Sequence, residues 1–281
     1  MAQISLDLPS LSNFSLASVQ RTLQAQADAL STLSSQYAED ALLQASLRRL
    51  LDILFQTIVL KGKLVLCGIG KSHKIAAKMV ATLNSLSIQA SLLHPSEALH
   101  GDLGMVCDSD TLIFVTASGN TPELINLMPH LNPSIPIVLL TCQRVLNLSQ
   151  HPQVRLLLLA EVPQNLKEDT VHGLPAPTIT TTMLLALADA VLLALSEMME
   201  EDLEKRRVKF SRHHPGGAIG ALLSHLNVNQ LGNATRALLL LSLLLFLFLQ
   251  IHQANMGRVD SVEGSTLVLL QLDDDVTLYK N

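Results

Sequence analysis

Apolar residues recur at helical spacing from about Leu16 to Leu60, uninterrupted by Gly or Pro. This periodicity predicts one long or two shorter helices, ended by Lys61-Gly62-Lys63. Residues 1–14 are polar and irregular and read as a loose tail. Beyond Lys63 the pattern changes to short apolar runs at Leu64–Cys67, Gln89–Leu93, Leu112–Thr116, Ile135–Thr141 and Arg155–Leu159, each the length of a buried strand. Helical patterns separate them at Lys71–Ser85, with Ile75, Met79 and Leu83 on one side, and at Pro122–Leu131, where the proline suits a first turn. Thr178–Met199 reads as a long apolar helix. Strands alternating with helices predict an α/β fold, a doubly wound parallel sheet covered on both faces behind a long N-terminal helix.

The C-terminal part follows another pattern. Leu238–Leu249 is Leu and Phe throughout except for Ser242, and these 12 residues are short of the roughly 20 that span a bilayer. The uncharged window from Ala237 to Gly257 is longer, but Gln250, Gln253 and Asn255 dilute it. A buried or oligomer-facing helix is therefore preferred over a membrane span. Residues 259–281 read as two short strands around an acidic turn at Asp273–Asp275.

Composition narrows the function classes. The chain has 281 residues, 48% of them hydrophobic, with no Trp, two Tyr and six Phe, so its core is aliphatic. A net charge of −5 without a basic stripe, and few aromatic rings to stack on bases, exclude nucleic acid as a partner. Cys67, Cys107 and Cys142 form no Cys-x-x-Cys pair, and an odd count argues against a disulfide framework. Free thiols and an N-terminus without a basic-then-apolar leader predict a cytoplasmic protein.

The candidate chemistry lies in four turns rich in glycine and hydroxyls: Cys67-Gly-Ile-Gly-Lys-Ser-His73, Thr116-Ala-Ser-Gly-Asn-Thr121, Ala176-Pro-Thr-Ile-Thr-Thr-Thr182 and His214-Pro-Gly-Gly217. Such turns offer backbone N–H groups and hydroxyls to an anion, which points to a phosphorylated small molecule. The first is neither of the common nucleotide loops. A Walker A loop needs Gly where Val65 stands, and a dinucleotide fingerprint needs Gly where His73 stands. Taken singly, each residue also has a structural reading. Lys71 suits a solvated helix start, Glu123 the macrodipole of a first turn, Thr178–Thr182 an N-cap followed by buried threonines, and His214 a loop histidine.

In order along the chain, Gly68-Ile-Gly-Lys-Ser72, His94-Pro-Ser-Glu-Ala-Leu-His-Gly-Asp-Leu-Gly-Met105, Ser118-Gly119, Ala176-Pro-Thr178 and His214-Pro-Gly-Gly217 resemble the sugar isomerase (SIS) domain of arabinose-5-phosphate isomerases. The resemblance covers residues 15–225 and leaves 226–281 as an atypical Leu-rich extension. It implies a five-stranded parallel sheet between helices, a homotetramer, and interconversion of D-ribulose 5-phosphate and D-arabinose 5-phosphate without a required cofactor. It makes Lys71, Glu123 and His214 catalytic, together with Glu168 or its rival Asp169, because the segment before Ala176 is one residue longer than usual. Gly70, Ser72, His94, His100, Thr116, Ser118, Gly119, Thr121 and Thr178 match substrate- and phosphate-binding positions, and His94 also matches the residue associated with inhibitory zinc.

Three departures stand out. His73-Lys74 replaces the family's Gly-His, so a turn needing φ > 0 at position 73 would be strained. Ala117-Ser-Gly-Asn120 replaces Asn-Ser-Gly-Glu. The residues after Ser224 are too few for the tandem cystathionine-β-synthase-type domains of bacterial members. For the reaction, a glutamate (Glu168 or Glu123) would move the C1/C2 proton, His214 would assist ring opening or oxygen protonation, and Lys71 would stabilise negative charge. Two other readings stand beside the enzyme: a non-catalytic phosphosugar sensor, and a decayed enzyme with a foreign tail. In an oligomer, sites shared across the interface are expected.

Overall fold

The structure is a computed structural model that describes residues 8–144, 148–223, 241–242 and 244–245. The chain divides into two compact units, Met1–Leu226 and Asn227–Asn281.

The first unit opens with two helices, α1 (Leu8–Glu39) and α2 (Ala41–Val59). Asp40 divides them: its backbone is extended, and Oδ1 accepts hydrogen bonds from the N–H groups of Leu42 (2.8 Å) and Leu43 (3.2 Å), capping α2. The predicted loose tail is corrected from Leu8 onward, where the chain is already helical. Pro9 is tolerated in a first turn, and nothing from Ser10 to Glu39 breaks a helix. The first turns of this helix keep their apolar side chains in the open, Leu11 being 49% and Phe14 71% exposed, so no buried stripe marks them in the sequence.

Five parallel strands follow, β1 (Leu64–Gly68), β2 (Ala90–Leu93), β3 (Thr111–Val115), β4 (Ile137–Thr141) and β5 (Val154–Leu159), in the order β2-β1-β3-β4-β5. Between and after them come α3 (Lys71–Ser85), α4 (Pro95–Ala98), α5 (Pro122–Leu127), α6 (Glu168–His172), α7 (Ile179–Met199) and α8 (Leu203–Arg212).

Alternation along the strands builds two cores. Leu64, Leu66, Ile113, Val115, Val138 and Leu140 pack with α1, α2, α3 and α7 on one face. Val65, Cys67, Leu112, Phe114, Ile137 and Leu139 pack with α4 and α5 on the other. Each side of the sheet is thereby sealed, as a parallel sheet requires.

α7 is long and apolar enough to cross a membrane by length and composition. In this fold it is the central helix of its layer, with Met183, Leu184, Ala188, Leu192 and Leu195 buried. α8 escaped the apolar pattern because its sequence is mostly charged. Asp202 Oδ1 caps it through Lys205 N (3.1 Å), and Arg206–Glu197 (3.1 Å) and Lys209–Glu200 (2.9 Å) pair it with the end of α7.

In the second unit, residues 241–242 and 244–245 are helical, with Leu241, Leu244 and Leu245 exposed. The rest of the Leu-rich run and the strands expected over 259–281 lie outside the described residues.

Candidate active site at the carboxyl ends of the strands

A sheet of order 2-1-3-4-5 changes direction between β1 and β3, and ligands bind at the carboxyl ends of such strands. In register, Gly68 pairs with Val115 and Cys67 with Leu93, so β1, β2 and β3 end side by side. The Gly68–Ser72 turn, His94 and the Thr116–Thr121 turn therefore lie side by side at that end of the sheet.

Gly70 has φ 58° and ψ −120°, a conformation that L side chains avoid, and it turns the chain from β1 into α3. Lys71 and Ser72 then head α3, where the first amides of a helix have no intrahelical partner. The Lys71 side chain is exposed and forms no ion pair with any described residue.

His73 lies in the first turn of α3 and is not among the positive-φ residues, so its Cβ strains nothing. Its ring meets that of His94 edge-on, with centroids 5.2 Å apart. The Nδ1 atoms of both rings are buried without a hydrogen-bond partner among the described residues. Burial, and then His94, hold the His73 imidazole below its ordinary pKa.

The third turn is tied internally. Thr116 Oγ1 accepts from Gly119 N (3.0 Å) and lies 2.8 Å from Thr121 Oγ1. Gly119 has φ 68°, as a turn this tight demands. Ser118 Oγ accepts from Asn120 N at 3.4 Å. Glu123 follows in the first turn of α5, half-buried, with its carboxylate in no hydrogen bond or ion pair with a described residue. His94 stands at the N-cap of α4, and His100 is exposed in the turn that follows.

Glu168 is only 6% exposed. Its Oε1 accepts three hydrogen bonds at the start of α7, from Thr178 N (3.0 Å), Thr180 N (2.7 Å) and Thr180 Oγ1 (2.6 Å). Burial alone would raise this carboxyl's pKa, but the three donors outweigh it and hold the pKa below the usual carboxylate value. Thr178 occupies the N-cap position, yet its own hydroxyl turns back to Ala176 O (3.2 Å). Asp169, the rival, is exposed; its carbonyl accepts from Gly173 N (2.9 Å) where α6 ends. The role of Thr180 had no local signal, because the carboxylate that grips it lies 12 residues earlier.

His214 is the sequence-predicted residue that the fold keeps apart. Its ring stacks on Phe210 (centroids 4.0 Å apart) and its Nδ1 lies 2.7 Å from Phe210 O, a carbonyl to which Nδ1–H donates. Phe210 shares a groove with Leu86 and Ile88, at the far end of α3 from Lys71. The 15 residues of α3 span roughly 22 Å, with Lys71 at one end and Leu86 at the other. Among the described residues, no group of three or more His, Cys, Asp or Glu side chains could hold a metal ion.

Comparison with known proteins agrees with this geometry. Residues 57–194 match the family described as SIS domain. The arabinose 5-phosphate isomerase KpsF of Escherichia coli is 34% identical over 212 residues, covering 74% of this chain and 58% of the relative. The arabinose 5-phosphate isomerase KdsD of Shigella flexneri is 37% identical over 164 residues, covering 58% of this chain and 47% of the relative. The chain thus spans about half of the length of the curated relatives it matches. Among solved structures, a protein of E. coli CFT073 in complex with arabinose 5-phosphate has a TM-score of 0.58 at 27% identity, covering 75% of this chain and all of that one. By its strand order, its turns and its sequence, this chain carries a SIS domain over residues 57–194.

Proposed function

We propose that this chain is a phosphosugar isomerase that interconverts D-arabinose 5-phosphate and D-ribulose 5-phosphate through an enediol. The observation that carries the reading is the placement of the Lys71 turn, His94 and the Thr116–Thr121 turn, with Glu123 just after it, at the adjacent ends of β1, β2 and β3. Relatives named arabinose 5-phosphate isomerase, and a similar structure holding arabinose 5-phosphate, support that substrate.

The phosphate is received by the hydroxyls and amides of the Thr116–Thr121 turn. Glu123, whose carboxylate is engaged by no described residue, takes the C2 proton of the aldose and returns it at C1 of the ketose. Lys71 counters the negative charge that develops on the enediolate oxygens. A sensor would need the hydroxyl turns alone; Lys71 and Glu123 beside them, neither engaged by a described residue, favour the enzyme.

Because α3 separates His214 from Lys71, the site is completed in a homo-oligomer, expected to be a tetramer, by the partner subunit's His214. Neither an organic cofactor nor a metal enters this acid–base scheme, so turnover is expected to persist in a chelator. Zinc is expected to inhibit through His94, and His94→Gln to relieve that inhibition. The compartment is the reducing cytoplasm, in keeping with three free thiols, of which burial pushes Cys67 and Cys142 up to about 12.

Incubation with D-arabinose 5-phosphate and colorimetric detection of ketose tests the reading. Saturable ketose formation, reduced about 10²–10⁴-fold in Glu123→Gln, is the expected result. Binding without ketose formation would move the protein to the sensors.

A further inference from the structure

Resting on the isomerase reading, we propose that Glu168 is a positioning residue: its carboxylate clamps the first turn of α7 against the candidate substrate site and carries no proton in the reaction. Three observations support this.

First, Oε1 is engaged by Thr178 N, Thr180 N and Thr180 Oγ1, at 3.0, 2.7 and 2.6 Å. An oxygen with three donors is committed to the turn it holds. Second, the place is structurally demanding. α7 is a 21-residue helix whose N-cap residue, Thr178, supplies no side-chain cap, so the orphan amides of its first turn fall to Glu168 from ten residues upstream. A buried carboxylate at the positive end of a long helix is held ionised, whereas a proton carrier must exchange between its two forms.

Third, the clamp is linked to the candidate site. Cys142 Sγ lies 4.0 Å from Thr180 O, while Cys142 N donates to Ala117 O (3.3 Å) and Thr141 Oγ1 to the same carbonyl (3.4 Å). Ala117 belongs to the Thr116–Thr121 turn. A continuous chain of contacts thus runs from Glu168 through Thr180 and the end of β4 to the phosphate-binding hydroxyls. Loss of the clamp is transmitted to substrate binding, and Glu123 remains the carboxylate free to move the proton.

The test compares Glu168→Gln with Glu168→Ala in the full chain, using kcat and KM for D-arabinose 5-phosphate and hydrogen exchange of the Thr178 and Thr180 amides. A glutamine still presents a carbonyl oxygen to the same donors but cannot act as a base. The proposal predicts that Glu168→Gln keeps kcat within about threefold, keeps the wild-type pH–rate profile and keeps both amides protected. Glu168→Ala is predicted to raise KM at least tenfold and to lose amide protection. A folded Glu168→Gln protein that keeps its amide protection but loses 10²–10⁴-fold in kcat would overturn the proposal. So would unchanged protection of both amides in Glu168→Ala. If the wild-type protein turns over no pentose phosphate, the isomerase reading fails by itself. The exchange data then decide the clamp alone, by loss or retention of protection in Glu168→Ala.

Discussion

Thr116 Oγ1 lies 2.8 Å from Thr121 Oγ1 and accepts the Gly119 amide at 3.0 Å, so one buried hydroxyl closes the turn proposed to receive phosphate. Thr116→Val keeps the shape of the side chain and removes that acceptor. The stranded Gly119 N–H should destabilise the fold by about 1–3 kcal/mol. KM for the sugar phosphate should rise more than kcat falls. Urea unfolding and steady-state kinetics on the variant check both. Thr121→Val, at a half-buried hydroxyl, should act chiefly on KM.

The acid side of the stability curve should carry the signature of Glu168. Its folded pKa is held below the ordinary value of 4.5. Its stabilising contribution is therefore fully present above that ordinary value and is lost as pH falls through the folded one. Urea midpoints measured downward from pH 6 should fall less steeply for Glu168→Gln than for the wild type. Parallel curves would mean that the carboxylate contributes no such linkage.

Lys71 and His214 can be tested as members of a shared site by mixing. Lys71→Met and His214→Ala homo-oligomers should each be nearly inactive. Subunits of the two, dissociated and reassociated together, should recover part of the turnover, because a mixed interface pairs an intact Lys71 with the partner subunit's intact His214. No recovery in mixed oligomers that mass measurement shows to have formed would remove His214 from the site.

His73 stands where the resemblance has glycine, yet the backbone there is helical. His73→Gly should therefore relieve no strain and should destabilise the protein by roughly 0.5–1 kcal/mol through chain entropy. A stabilised His73→Gly protein would show that the histidine costs more than its contact with His94 returns.

Periodicity and turn chemistry made most of this fold legible. Lys71–Ser85 runs between the bounds that its apolar spacing and the Gly70 turn predict, and all five strands sit where short apolar runs fall, within a residue or two at either end. The break at Asp40 was only half legible, because a capping aspartate inside an otherwise helical run looks like any surface carboxylate. α8 left no apolar stripe, since its position is set by ion pairs to Glu197 and Glu200 that become neighbours only on folding. In the candidate site, Lys71, His94, Thr116, Thr121 and Glu123 each follow the end of one of three adjacent strands, a placement that sequence order encodes. The engagement of Glu168 by Thr178 and Thr180, and the distance of His214 from Lys71, depend on how α6, α7 and α8 pack. No residue-level motif carries that information.

The measurement that bears most directly on the central claim is NMR of the wild-type protein with D-arabinose 5-phosphate in deuterated water. An enediol mechanism predicts deuterium entering C2 of the aldose and C1 of the ketose as D-ribulose 5-phosphate forms, both abolished in Lys71→Met. Saturable binding of the sugar phosphate with no exchange at C2 and no ketose would contradict it.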